Sequence, residues 1–166
     1  MRSVKILSCA LLLTLCLLFT ACSGKEEYQD SLSCRELTDL AQKKVAVAGG
    51  YTAYDENVLE YFFKGTDLPD DFSLIYSTTS ADINEIGIFH APNADDAKEL
   101  CTICEDYLTE MQETQSAFIA SYAPEELNKL KNATVVRYGN YVIYTILTPA
   151  DGEEVLSLLR NRLKRT

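Results

Sequence analysis

Thr134-Val135-Val136-Arg137-Tyr138-Gly139-Asn140-Tyr141-Val142-Ile143-Tyr144-Thr145-Ile146 is the stretch that decides the fold class. Two runs rich in β-branched and aromatic residues flank a Gly-Asn pair, the pattern of a hairpin closed by a two-residue turn. Pairing across that turn sets Tyr138 opposite Tyr141 and Val136 opposite Ile143. An antiparallel sheet is therefore present, and a purely helical fold is excluded.

Downstream, Thr148-Pro149-Ala150-Asp151 leads into a final helix that ends in Arg160, Arg162, Lys164 and Arg165. Bases there suit a helix C-terminus. Upstream, Pro124-Glu125-Glu126 opens a short helix to about Lys131. Before it, Pro92-Asn93-Ala94-Asp95-Asp96 caps a long helix. Its apolar stripe runs through Ala97, Leu100, Cys101, Cys104, Leu108, Met111, Phe118, Ile119 and Tyr122. Its other face carries Asp95, Asp96, Glu99, Glu105, Asp106, Glu110 and Glu113.

Phe72, Leu74 and Tyr76 alternate with polar residues and read as a strand, and Ile83 to His90 reads as a second, with Ile86 and Ile88 on one face. Ser33 and Glu36 have capping-box spacing and start a helix over about 34–46, stopped by Gly49-Gly50. Asp55-Glu56-Asn57 opens a second short helix through Phe63. The expected fold is α+β: a four-stranded, mainly antiparallel sheet of two hairpins (ββαββα-like) with helices on one face, preceded by N-terminal helices. The two hairpin-plus-helix halves share a pattern but no sequence identity.

The chain has 166 residues, 47% of them apolar, which marks a globular protein. Net charge is −10. Residues 1–21 hold Arg2 and Lys5 and no acid, so from Cys22 onward 13 bases face 25 acids, close to −12. Such a domain is repelled by phosphate backbones, which excludes nucleic acid as a partner. It is likewise pushed from anionic lipid headgroups, so membrane attachment needs another cause.

That cause is at the N-terminus. A cationic start, Met1 to Lys5, precedes an apolar run from Ile6 to Phe19. Fourteen helical residues span roughly 21 Å, short of the ~30 Å hydrocarbon core, which suits a signal peptide. Leu18-Phe19-Thr20-Ala21-Cys22 then resembles the lipobox of bacterial lipoproteins, with Phe19 where Leu is usual. Residues 1–21 read as a cleaved lipoprotein signal peptide, and the Cys22 thiol as the acceptor of a diacylglycerol thioether. An ordinary cleaved signal with an incidental Cys, or an uncleaved anchor, are the alternatives. Two acyl chains hold a protein stably where one does not. Residues 22–32 read as a flexible tether, whose stretch of about ten residues reaches roughly 35 Å when extended, and 33–166 as a single domain.

Ala81-Asp82-Ile83-Asn84-Glu85-Ile86-Gly87-Ile88-Phe89, then Ser121-Tyr122-Ala123-Pro124-Glu125-Glu126, then Tyr138-Gly139-Asn140-Tyr141-Val142, follow one another in an order that resembles a family of small lipoproteins of Gram-positive, Clostridia-type bacteria. That family is known only as a domain of unknown function (family 4358). The resemblance covers roughly residues 33–164. It implies a lipobox, an exterior location and a compact α+β domain, and no reaction. Glu85 and Tyr141 match positions typical of the family, where capping or strand packing explains them as well as a site does.

Cys101-Thr102-Ile103-Cys104 raises a redox pair or half a zinc site. Redox pairs gain acidity at a helix N-terminus, but with Asn93 as the cap Cys101 lies two turns inside. Both thiols fall on the apolar stripe, where Cys packs as a small hydrophobe. A zinc site needs about four ligands, and only Cys34, Cys101, Cys104 and His90 are on offer. Buried core is the preferred reading; a disulfide and a metal or redox role are the alternatives. His90, the only histidine, reads as structural at a strand end. The acidic helix face reads as solvated. No phosphate loop, dinucleotide fingerprint, H-E-x-x-H or G-x-S-x-G occurs. Cys22 is thus the one residue given a chemical role, and no catalytic, cofactor-binding or metal-ligating residue is assigned. The expected function is a membrane-anchored, extracytoplasmic lipoprotein that binds an envelope protein or peptide without catalysis; a thiol-redox or metal-binding role through Cys101 and Cys104 is the rival.

Overall fold

The computed structural model describes residues 26–54, 63 and 69–165. The expected signal peptide, Cys22 and all but Phe63 of the second expected helix lie outside them. Helix α1 is Cys34–Lys44, followed by strands β1 (Tyr51–Ala53), β2 (Asp71–Ser77) and β3 (Glu85–His90). Helix α2 is Ala94–Tyr122; a 3-10 turn over Pro124–Glu126 joins α3 (Leu127–Lys131). Strands β4 (Thr134–Tyr138) and β5 (Tyr141–Ile146) form the hairpin, and α4 is Pro149–Leu163.

The helix starts follow from their caps. Ser33 Oγ accepts from the Glu36 amide at 3.3 Å while the Glu36 carboxylate accepts from the Ser33 amide at 3.0 Å, the reciprocal pair expected from the sequence. Asn93 Oδ1 accepts from the amides of Asp95 and Asp96 at 2.9 and 3.0 Å. Thr148 Oγ1 accepts from Asp151 at 3.2 Å. Each such cap contributes about 1 kcal/mol.

The sheet is antiparallel throughout, in the order β1-β2-β3-β5-β4. The hairpin register is the expected one, Tyr138 opposite Tyr141 and Val136 opposite Ile143. The sheet has five strands, not four. The extra strand is β1, three residues at the edge paired to β2. It is too short to show alternation, and it is turned into place by Gly49 and Gly50, both at positive φ (82° and 81°).

Helices cover both faces of the sheet, not one. Strands β3 and β5 lie between others, and every residue of β5 is buried. On one face Ile75, Ile86, Ile88 and Ile143 pack with Leu37 of α1 and Leu159 of α4. On the other, Leu74, Phe89, Val142 and Tyr144 pack with Leu100 and Leu108 of α2. Each fully buried aliphatic side chain contributes about 1.5–3 kcal/mol. Helix α2 then outruns the sheet: 29 residues extend about 43 Å, against about 20 Å for a six-residue strand. Its buried positions stop at Leu108 and resume only at Ile119, where the returning α3 segment packs.

Residues 26–32, on the stretch read from the sequence as a tether, lie against the domain. Tyr28 makes an antiparallel bridge to Lys164. The Gln29 amide donates to the Leu163 carbonyl and the Arg165 amide to the Glu27 carbonyl, both at 2.8 Å.

Candidate functional site

The chemically distinctive site lies under α2. On β3 the pleat sends Glu85, Gly87 and Phe89 to the α2 face. Gly87 stands opposite Tyr144 of β5. Having no side chain, it lets the Tyr144 ring cross the sheet and reach Glu85 two residues along. The Tyr144 hydroxyl donates to Glu85 Oε1 at 2.5 Å. Tyr107, from the inward stripe of α2, donates to the same oxygen at 2.8 Å. Tyr54, just past β1, donates to Oε2 at 2.7 Å.

Glu85 is 4% exposed. Burial pushes its carboxyl above the ordinary carboxylate value, opposed by the hydrogen bonds from Tyr144, Tyr54 and Tyr107. Burial likewise pushes the three phenols up, so they stay protonated and act as donors. Phe63 packs edge-on to Phe89 and tilted against Tyr107, adding rings to the same dry chamber. The arrangement can hold or release a single proton at Glu85. Among the described residues it offers a substrate no open approach to the carboxyl.

The other residues singled out from the sequence do not join this chamber. Cys22 lies outside the described residues. Cys34, Cys101 and Cys104 are free thiols. Cys104 is buried among the α2 residues facing the sheet, and Cys101 is half-buried beside them. Burial pushes both thiols up, most strongly Cys104, which disfavours the thiolate that redox exchange uses. Burial also raises Cys34, whose Sγ donates to the Asp71 carbonyl at 3.3 Å. Among the described residues no group of three or more His, Cys, Asp or Glu is placed to hold a metal ion.

His90 and Tyr141 work together at the opposite end of β3. Their rings stack at 4.4 Å. His90 Nε2 is 3.4 Å from Asp30 Oδ1. The Tyr141 hydroxyl donates to the Leu32 carbonyl at 2.5 Å and accepts from the Leu32 amide at 3.1 Å. Both fasten the N-terminal segment, and the burial that packing demands pushes Tyr141 up to about 12.

Two features escaped the sequence reading. Phe118 and Tyr122, placed there on the apolar stripe, are 60% and 77% exposed, because α2 has by then left the sheet. Their rings pair at 4.6 Å. Beyond Leu108 the helix and the turn after it carry Glu110, Glu113, Glu125 and Glu126, of which Glu126 is buried and paired with Lys129 at 2.7 Å. The tyrosines around Glu85 also escaped, since only the β3–β5 register reveals them.

The family model described as Domain of unknown function (DUF4358) matches residues 41–147. No curated protein and no solved structure matches the chain. The chain belongs to the family whose model it matches.

Proposed function

We propose that this member of the DUF4358 family is a lipid-anchored, extracytoplasmic binding domain without catalytic activity. Residues 1–21 direct export and are removed, and the Cys22 sulfur carries a diacylglycerol thioether. The partner is an envelope protein that presents a cationic segment to the far end of α2. No helix among the described residues is long and apolar enough to cross a membrane, so on this reading the lipid does the holding.

The observation that carries the binding role is the exposed Phe118–Tyr122 pair. Large aromatic side chains in the open gain free energy when a partner covers them. Lys or Arg over an aromatic face adds a cation–π attraction of about 0.5–2 kcal/mol. By contrast, Glu85, Cys104 and Tyr144 are buried in the core.

A photoreactive benzoylphenylalanine at position 118 of the full-length chain, irradiated in intact cells, tests this. The expected result is one discrete protein adduct attached through a basic peptide and lost in a Tyr122→Ser variant. Absence of an adduct, or an adduct with lipid alone, overturns the binding role.

A further inference from the structure

We propose that the end of the domain carrying residues 26–33 is its membrane-apposed face, and that the basic end of α4 meets anionic lipid headgroups there. This rests on the Cys22 anchor.

The first argument is reach. Were residues 22–32 a free tether, they would lift the domain clear of the bilayer. The chain is fixed from Glu26 onward. Glu26 pairs with Arg160 at 2.7 Å and Lys164 at 3.1 Å. Gln29 Nε2 donates to the Arg162 carbonyl at 2.7 Å. Asp30 accepts from Asn140 at 3.3 Å. Tyr28 stacks on Tyr138 at 5.5 Å and lies against Gly139, where an added Cβ would stand 2.9 Å from the Tyr28 Cβ. Gly139 has a φ of +64°, so the turn and the space for Tyr28 both require glycine. Between Cys22 and Glu26 four Cα steps remain, at most about 14 Å. The headgroup layer takes up about 5–7 Å of that. The Gly139–Asn140 turn and the end of α4 are held beside it.

The second argument is charge. Residues 160–165 hold Arg160, Arg162, Lys164 and Arg165 and no acid, in a chain whose net charge is −10. All four are exposed. Glu26 pairs with Arg160 and Lys164, Glu27 with Arg165, and Glu36 lies near Arg162, so four bases face three acids and a small positive excess remains. Helix α2 runs the other way: Ala94 is fixed at this end by Arg137, which donates to its carbonyl at 3.0 Å, and Tyr122 lies about 42 Å along the helix axis, so Asp95 and Asp96 stay at this end while Glu110 and Glu113 lie farther out. The basic cluster at the end of α4 is therefore a local one, with acids such as Asp30, Asp95 and Asp96 at the same end of the molecule. Basic residues held within a Debye length of an anionic surface are attracted to it.

The test uses full-length protein lipidated in a bacterial host and reconstituted into vesicles of phosphatidylcholine and phosphatidylglycerol. Fluorescent thiol labels are placed at Asn161→Cys and, separately, at Ala120→Cys, both in a Cys101→Ser background and both at exposed helical positions. Spin-labelled lipids then quench whichever label lies near the bilayer. Several-fold stronger quenching at 161 than at 120, weakened in Arg162→Glu, Arg165→Glu and in vesicles of phosphatidylcholine alone, is the expected result. Equal quenching in protein that still floats with the vesicles overturns the orientation and leaves the anchor standing. Unequal quenching indifferent to headgroup charge overturns the basic contact. Protein that does not float overturns the anchor and this proposal with it.

Discussion

The ring of Tyr144 lies across Gly87, its partner on the neighbouring strand, and its hydroxyl meets Glu85 two residues along. A methyl group on Gly87 would stand 2.7 Å from Tyr144 Cδ1 and closer still to the atoms beyond it. The glycine is thus the reason a tyrosine can serve a carboxylate on the adjacent strand. Ring, carboxylate and glycine form one packing unit.

Gly87→Ala should be costly. The obstacle is a ring held at its far end by Glu85, with no room to swing aside. The expected loss is about 3 kcal/mol, at the upper end of what overpacking costs. Urea denaturation of the purified domain reads it. A loss below about 1 kcal/mol, the lower end of that range, would show that the ring relocates freely.

Glu85 should make stability depend on pH with a defined sign. Its folded pKa lies above the ordinary 4.5 because burial disfavours the charge. The stability it contributes is fully present below 4.5 and is lost as pH rises from there through the folded value. Glu85→Gln cannot ionise, so the variant should gain on the native protein across that interval and hold its gain above it. Urea midpoints of both proteins against pH measure the difference, in which other groups cancel. Tyr144→Phe removes the hydrogen bond that most lowers the Glu85 value and should move the interval upward. A difference that is flat with pH contradicts the buried-acid account.

Some of this was legible in the sequence and some was not, for a physical reason. The β4–β5 hairpin and the caps at Ser33 and Asn93 depend on residues a few positions apart, and each was placed correctly. The Glu85 chamber depends on Tyr54, Tyr107 and Tyr144, which lie 31, 22 and 59 residues away. Nothing local links them. Strand β1 escaped because three residues show no period. Helices on both faces were hinted at by the nearly continuous apolar runs of β3 and β5, the mark of strands buried on two sides. Phe118 and Tyr122 fit the helical stripe perfectly well; periodicity says which side of a helix is apolar, not where its support ends.

The cysteines should behave as packed hydrophobes. Cys34 and Cys104 are buried with their thiols pushed well above the ordinary value, and Cys101 is raised less. With a thiol reagent near pH 8, only Cys101 should react in the native protein, and slowly. Cys34 and Cys104 should react after unfolding. Rapid native labelling of Cys104 would revive a redox role for the Cys101–Cys104 pair.

The anchor is the central claim, and the intact mass of the protein recovered from the membrane fraction tests it most directly. The expected mass is that of residues 22–166 plus the lipid on Cys22, and Cys22→Ser should yield either released protein or unprocessed precursor. A membrane-bound Cys22→Ser protein of processed mass, or a native protein with no lipid on Cys22, would contradict it.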